Sequence, residues 1–170
     1  MKKALIIVCV LVCLLGLAGC DPATNNMDAS ELLANTVKIE LVHYENENPQ
    51  SFHLDKKNEP IFNFNKVTLI GALDDSQFED IIMDIAEHDF LFWGNDLVLN
   101  EPNGKTLILY QSNGNIVILY NWVYTNEKGL TYYYGDCSIF DENGLLVEYI
   151  GSVSNGWIDS LELAYFSSNP

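Results

Sequence analysis

The segment KTLILYQSNGNIVILYNWVYT, residues 105–125, carries two runs of branched and aromatic residues on either side of an Asn-Gly pair. Such runs are typical of β-strands, and Asn-Gly between them is the strongest local indication of a two-residue hairpin turn. The segment therefore predicts one strand over Lys105–Gln111 and a second over Ile116–Thr125, joined at Asn113-Gly114.

Both faces of this predicted hairpin are apolar. The expected pairing places Leu107 and Leu109 beside Tyr120 and Ile118 on one face, and Ile108 and Tyr110 beside Leu119 and Val117 on the other. A strand pair that is apolar on both faces belongs in the middle of a sheet, with both sides covered. One helix can cover only one side, so curvature of the sheet, the early strands and loop, or a partner must close the other.

Glycine turns divide the rest of the C-terminal half into short strands. Glycine is the fourth residue of Glu101–Gly104, Asn126–Gly129 and Asp141–Gly144, as a type I turn followed by a bulge requires. A second Asn-Gly pair at Asn155-Gly156 predicts another two-residue hairpin. The six predicted strands cover Leu97–Asn100, Lys105–Gln111, Ile116–Thr125, Leu130–Phe140, Leu145–Ile150 and Trp157–Phe166.

One main helix is predicted before this meander, over Asp75–His88. Asp74 is a favourable N-cap, and Gln77 three residues later completes the spacing of a capping box. Apolar residues at helical spacing predict a buried stripe, formed by Phe78, Ile81, Ile82, Ile85 and Ala86. The carboxylates off this stripe predict an acidic outer face with no basic residue beside it, formed by Glu79, Asp80, Asp84 and Glu87.

Two strands are predicted ahead of the helix, over Val37–Tyr44 and Lys66–Leu73, with a polar loop at Glu45–Glu59 between them. A short helical turn is expected at Ser30–Leu33. The predicted fold class is α+β: a strongly bent antiparallel β-meander of about six strands, packed around one main α-helix, with one or two strands before the helix. In topology this arrangement resembles cystatin-like and nuclear-transport-factor-like architectures.

The N-terminus has the organisation of an export signal. Lys2 and Lys3 precede an apolar run over Ala4–Leu17, which is too short for a comfortable membrane-spanning helix and ends in small residues. Leu17-Ala18-Gly19-Cys20 then resembles the lipobox of bacterial lipoproteins. The topological comparison above rests on no sequence motif, and the lipobox is the one sequence motif identified as that of a known class.

This resemblance implies processing and a location. It implies cleavage of a signal peptide after Gly19, a diacylglyceryl group on the Cys20 sulfur, and usually acylation of the new amino terminus. The protein would then be held by lipid on the extracytoplasmic side of the cell membrane. The expected organisation is a signal peptide over 1–19, a lipid-anchored tether over 20–29 and a single globular domain over 30–168.

The chain is strongly acidic, with 24 carboxylates, 8 lysines and no arginine. Loss of the signal peptide would leave six lysines and a formal charge of −18. Nucleic acid is excluded as a favourable ligand because its phosphates need cationic side chains. A basic protein or peptide is the expected partner, although acidity also keeps an envelope protein soluble.

Sequence motifs of common enzymes are absent, including Gly-x-Ser-x-Gly, His-Glu-x-x-His and the phosphate loop. His43, His53 and His88 fall in a strand, a loop and a helix end. Cys137 is the only cysteine after Cys20, and its place in a strand beside an aspartate predicts a buried thiol of raised pKa. A small hydrolase that uses a histidine–carboxylate pair or Cys137 is the catalytic alternative, with no catalytic residue, cofactor or metal site assigned.

A loose calcium-loop pattern occurs after the fourth predicted strand. Asp141, Asn143 and Glu148 supply oxygen atoms, but the full calcium-loop spacing is missing. The pattern is also ordinary hairpin chemistry, so it predicts a turn.

The aromatic hairpin is the candidate binding surface, formed by Trp122, Tyr124, Tyr132, Tyr133 and Tyr134. Because neighbouring residues in a strand point to opposite faces, aromatic side chains must occur on both faces of these two strands. One set fills the core, and the other forms either more core or an exposed binding platform. The leading functional hypothesis is a non-catalytic binding domain at the cell envelope, and an immunity- or inhibitor-type lipoprotein is a further alternative.

Overall fold

The computed structural model describes residues 23–46, 51–53, 62–92, 98–125, 128–154 and 156–167. The predicted signal peptide and Cys20 lie outside these residues. The fold is mixed α+β with an antiparallel sheet, as the sequence predicts. The sheet is larger than the expected six strands, and the structure has three short α-helices where the sequence predicts one main helix.

Helical segments lie before, within and after the run of strands. The α-helices are α1 (Ala29–Asn35), α2 (Phe78–Ala86) and α3 (Trp157–Leu161). The carboxylate of Asp28 begins α1 by accepting hydrogen bonds from the backbone N–H groups of Ser30 at 2.8 Å and Glu31 at 3.1 Å. A 3₁₀ turn at Asp75–Gln77 precedes α2, and the backbone N–H of Asp74 donates to Gln77 Oε1 at 3.3 Å, as expected for the predicted cap.

The strands are β1 (Ala23–Asn25), β2 (Thr36–Tyr44), β3 (Ser51–His53), β4 (Val67–Ala72), β5 (Phe90–Phe92), β6 (Val98–Asn100), β7 (Gly104–Gln111), β8 (Ile116–Thr125), β9 (Thr131–Phe140) and β10 (Leu146–Val153). Eight of them form one sheet in the order β1-β5-β10-β9-β8-β7-β2-β4. The four consecutive strands from β7 to β10 are the predicted meander, and β2 and β4 are the two early strands.

The hairpin between β7 and β8 differs from its prediction by one residue of register. The backbone N–H of Gly114 donates to the Gln111 carbonyl at 3.1 Å, and that of Gln111 donates to the Asn115 carbonyl at 3.0 Å. Within this loop only Gly114 has a positive φ, at 88°, so the loop is a type I turn with a glycine bulge rather than the two-residue turn. Leu107 therefore lies opposite Leu119, and not beside Tyr120.

The turn at Asp141–Gly144 is confirmed. The backbone N–H of Gly144 donates to the Asp141 carbonyl at 3.0 Å, and Gly144 has a φ of 77°. A Cβ at Gly144 would lie 1.9 Å from the Phe62 carbonyl oxygen, so this position requires glycine twice over. The turn predicted at Asn126 lies in part outside the described residues.

One face of the sheet packs on the helices. The five apolar residues of the predicted α2 stripe are all buried. Four of them, Phe78, Ile81, Ile82 and Ile85, share one core cluster with Ile39, Leu41, Leu107, Leu109, Val117 and Leu119 of the central strands. Cys137 lies in the same cluster and is fully buried, as predicted. This face, with its aliphatic core, is called the helix face below.

The opposite face of the sheet is buried too. It gathers Val42, Tyr44, Ile108, Ile118, Tyr120, Phe140 and Tyr149, and Phe62 covers them from the segment before β4. The early strands and the chain before β4 therefore close the side that one helix cannot reach. This is called the aromatic face below.

Two of the predicted meander strands differ from the structure: one is a strand with another pairing partner, and one is not a strand. Leu97–Asn100 was expected to pair with the next strand, but β6 pairs with β3 in a separate two-stranded sheet. Trp157–Phe166 was expected to be a strand, but it forms α3 and a π-helical segment at Glu162–Phe166. Ile158 and Leu161 are buried with the helix face, so the branched and aromatic residues that favour a strand instead cover the sheet as a helix.

The N-terminal edge of the sheet was not expected. Ala23–Asn25 falls in the segment predicted as a tether, but it pairs with β5 as strand β1. The amide of Asn25 donates to the Ile150 carbonyl at 2.8 Å, and Met27 packs on the helix-face core. These residues belong to the folded sheet.

Candidate binding site on the aromatic hairpin

The register of β8 and β9 pairs the predicted aromatic residues across the hairpin. Trp122 lies opposite Tyr134, Tyr124 opposite Tyr132, and Val123 opposite Tyr133. The side chains of Tyr124 and Tyr132 lie outside the described part of the structure. The aromatic side chains of the hairpin that the structure describes are therefore those of Trp122, Tyr133 and Tyr134.

Trp122 and Tyr134 form a stacked pair. Their ring centroids are 4.4 Å apart and their planes differ by 22°. Tyr134 keeps 40% of its surface exposed, and Tyr133 on the opposite face keeps 59%. Trp122 is partly buried against the aromatic face, which contains the fully buried Tyr120 two residues inward.

A buried carboxylate fixes this stack. The indole Nε1 of Trp122 donates to Asp136 Oδ2 at 2.5 Å. Asp136 is 1% exposed, and its other carboxylate oxygen accepts hydrogen bonds from Ser152 Oγ at 2.9 Å and Tyr149 Oη at 3.2 Å. The stack is thus tied to the interior of the sheet through three donors from two strands.

The electrostatics of Asp136 follow from its burial. Removal from water raises the pKa of this carboxyl from 3.8 to about 6, while the hydrogen bonds from Ser152, Trp122 and Tyr149 act in the opposite direction. Burial and the Asp136 charge also raise the pKa of the Tyr149 hydroxyl. Asp136 is mainly ionised at neutral pH, where its charge strengthens the bond from the Trp122 indole.

Sequence reasoning missed Asp136, Tyr149 and Ser152. Asp136 was noted only as a neighbour of Cys137. The available indication was its position: strand alternation places Asp136 on the same face as Tyr134, inside a strand that pairs with apolar residues. An aspartate there needs buried partners, and finding them requires knowledge of β10.

The acidic face predicted on α2 is solvent-exposed. Glu79, Asp80, Asp84 and Glu87 all lie on the outside of the helix region. Asp84 is engaged, because the Tyr165 hydroxyl donates to its Oδ2 at 2.5 Å. Across the described ranges no lysine forms an ion pair with any of the four carboxylates.

Among the described residues, the histidines and Cys137 do not form the catalytic site that the hydrolase alternative requires. Burial and the charge of Asp136 raise the pKa of the Cys137 thiol, which disfavours the thiolate that a nucleophile needs. The imidazole of His88 stacks on Trp157 at 3.9 Å, and burial lowers its pKa. His43 is exposed on β2, and the side chain of His53 is not described.

The Asp141 loop behaves as a turn. Asp141 Oδ1 accepts hydrogen bonds from the backbone N–H groups of Asn143 and Leu145, both at 2.9 Å, and these bonds lower the pKa of Asp141. Within the described ranges, no cluster of three or more histidine, cysteine, aspartate or glutamate residues is placed to hold a metal ion.

One cleft of the described residues is lined by neither Trp122 nor Tyr134. It has a volume of about 390 Å³ and lies between the Phe62–Lys66 segment and the Glu142 turn, with Glu101 on its wall. Among the helices that the structure describes, none has the length and apolar character needed to cross a bilayer.

No protein-family model, curated protein or solved structure matches this chain. The topological likeness to cystatin-like folds therefore stays a prediction.

Proposed function

We propose that the protein is a lipid-anchored binding domain on the extracytoplasmic side of the membrane, without catalytic activity. Its binding surface is the Trp122–Tyr134 stack, and its partner is a cationic segment of an envelope protein or peptide. The observation that carries the proposal is the hydrogen bond from Trp122 to the buried Asp136, which holds rigid a stack of the partly buried Trp122 and the exposed Tyr134.

Rigidity supports a binding role because an immobile aromatic pair loses little conformational entropy when a partner docks. Tyrosine and tryptophan are also the residues that most often contribute large shares of binding energy. Their ring faces attract lysine and arginine side chains through cation–π interactions. A fixed stack at the outer end of a hairpin therefore suits a cationic partner better than a catalytic task.

Charge supports the same partner. The chain has a formal charge of −16, and the acidic face of α2 has no cationic partner among the described residues. An acidic surface attracts basic segments over a distance of about 10 Å at moderate salt. The negative charge of the chain favours a positively charged partner, and the Trp122–Tyr134 stack supplies a contact point for it.

Anchoring rests on the lipobox resemblance of Leu17 to Cys20. The proposal also includes a strongly bent form of the meander around α2, which agrees with the burial of both faces of the sheet.

A Cys20→Ala variant tests the anchor. We expect the variant to lack the mass of the lipid and to leave the membrane fraction. A Cys20→Ala protein that stays on the membrane with an unchanged mature mass would contradict the proposed anchor.

The binding surface is tested with a fluorescent oligoarginine peptide and the lipidated full chain in neutral detergent, with oligoglutamate as the control probe. Tyr134→Ala should weaken oligoarginine binding by roughly 0.5–2 kcal/mol, the usual range of a cation–π contact. Tyr133→Ala is the matched control, because it removes an equally large exposed tyrosine from the adjacent position on the other face. Binding that is insensitive to both variants, or equally sensitive to them, would contradict the assigned surface.

A further inference from the structure

We propose that, in the anchored protein, the sheet stands on the membrane with its β1–β5 edge against the phospholipid headgroups and its β4 edge facing away. This inference rests on the proposed lipid anchor at Cys20. It adds an orientation that anchoring alone does not supply, since lipoprotein domains on long tethers can turn freely.

The connection between the lipid-bearing Cys20 and the sheet is short. Only Asp21 and Pro22 separate Cys20 from Ala23, the first residue of β1. Three residue steps span at most ~11 Å even when the chain is fully extended. The lipid-bearing residue therefore holds β1 within that distance of the bilayer surface.

The attachment of β1 to the domain is the second argument. Its three residues pair with β5, the amide of Asn25 is bonded to β10, and α1 begins four residues after Asn25. Met27, between them, packs on the core and contacts the Cys137 sulfur at 4.0 Å. These contacts prevent β1 from acting as a slack spacer, so the position of β1 fixes the position of the sheet.

The chemistry of the edge is compatible with a headgroup layer. The residues of β1 and β5, Ala23–Asn25 and Phe90–Phe92, carry no charge in a chain of formal charge −16. Leu91 is 38% exposed there. The exposed carboxylates of Asp28 and Asp89 flank the edge, so we expect contact at the headgroup level and not insertion into the hydrocarbon.

Composition alone would not choose this edge. The β4 edge, Val67–Ala72, is also uncharged, and its Leu69 and Ile70 are 57% and 46% exposed. Seven strand spacings separate β1 from β4 in the sheet, which corresponds to about 34 Å if the sheet were flat. The ~11 Å connection ties the lipid-bearing residue to β1, whereas β4 is the opposite edge of the sheet and has no such connection, so the anchor selects the β1–β5 edge.

The orientation also places the proposed binding surface. Strands β9 and β8 are the fourth and fifth strands counted from the membrane edge, about 14 and 19 Å from β1 in a flat sheet. The Trp122–Tyr134 stack would thus meet partners that lie close to the membrane. Soluble partners far from the bilayer would meet β4 first.

Two matched threonines test the orientation. Thr24 on β1 and Thr68 on β4 are both exposed, and Cys137 is buried, so Thr24→Cys and Thr68→Cys can each be labelled with a fluorophore at one site. The labelled, lipidated full chains are reconstituted in phosphatidylcholine vesicles that contain a headgroup spin-labelled lipid. We expect strong loss of fluorescence at Thr24→Cys and little at Thr68→Cys.

Equal quenching at the two sites, or stronger quenching at Thr68→Cys, would overturn the orientation. The mass of the purified protein separates this result from failure of the anchor: a chain without lipid that does not float with vesicles overturns both proposals. A glycine–serine insertion between Pro22 and Ala23 is the second variant. It should reduce the contrast between the two labels, and an unchanged contrast would show that the short connection is not its cause.

Discussion

The two faces of the sheet are both buried, but by different chemistry. The helix face packs aliphatic side chains of α2 against aliphatic side chains of the central strands. The aromatic face adds tyrosine and phenylalanine to aliphatic residues, and its Tyr149 donates a hydrogen bond to the buried carboxylate of Asp136. An aliphatic core is satisfied by any well-packed neighbour, whereas a buried carboxylate needs particular donors in particular places. The first kind of core specifies stability, and the second also fixes the geometry of one surface.

The largest expected effect breaks the helix face. Ile85→Ala in α2 removes a fully buried side chain and leaves a cavity, so it should lower the free energy of unfolding by about 2–5 kcal/mol. Met83→Ala is the control on the same helix, because Met83 is 42% exposed and should cost far less. Urea unfolding of both variants measures the difference, and similar losses would mean that α2 is not packed as described.

The next effect breaks the aromatic face. Asp136→Ala leaves the Trp122 indole and two hydroxyl groups without their acceptor, at a cost of roughly 1–3 kcal/mol. The substitution also removes a buried charge, and the free energy that its burial costs is regained, which offsets part of this loss of stability. The variant should also release the Trp122–Tyr134 stack, which a decrease in the near-ultraviolet circular dichroism would report. Leu109→Met on the helix face is the control, and an unchanged spectrum of Asp136→Ala would contradict the role of the carboxylate.

The pH dependence of the unfolding free energy distinguishes the aromatic face, which contains Asp136, from the helix face without removing a packed side chain. Asp136 has a pKa of about 6 in the folded protein against 3.8 when unperturbed, so the folded protein binds this proton more tightly. Its contribution favours folding below pH 4 and is lost as the pH rises through about 6. Asp136→Asn should remove this decline, as measured by unfolding in urea at several pH values. The same slope in both proteins would mean that Asp136 does not titrate in this range.

The smallest effect contrasts exposed charge with buried charge. Lys105 pairs with Asp159 at 2.8 Å and with Glu162, which connects β7 to the segment after Gly156. Because Lys105 is partly exposed to water, Lys105→Met should lower the unfolding free energy by only about 0.2–1 kcal/mol, and less at high salt. A loss as large as that of Asp136→Ala would show that these exposed pairs matter more for the fold than the buried carboxylate does.

The sequence predicted what depends on local spacing. The α2 stripe, the strands from β7 to β10 and the Asp141 turn follow from periodicity and from glycine at a fixed place. The hairpin at Gly114 shows the limit, because the same Asn-Gly pair is compatible with two turn types whose registers differ by one residue. At Trp157–Phe166 the intrinsic strand preference of the residues was overridden by the need to cover the helix face.

In the proposed binding site, too, the sequence predicted the local features and not the long-range ones. The aromatic residues of the hairpin were visible in the sequence, because their types and turn are local. Asp136 was not assigned a role, because its donors lie 13 to 16 residues away on two other strands and meet it only after β8, β9 and β10 have paired.

The amino-acid sequence by itself determined the fold class, the acidic charge, the buried α2 stripe and the lipobox resemblance that predicts an anchor. Tertiary structure decided the order of the strands, the eight-stranded size of the sheet and the docking of β1 beside β5. It also decided which tyrosines are exposed and which carboxylate is buried. The physical reason is that residue spacing fixes local periodicity, whereas register, burial and the pKa of Asp136 depend on partners that only long-range pairing brings together.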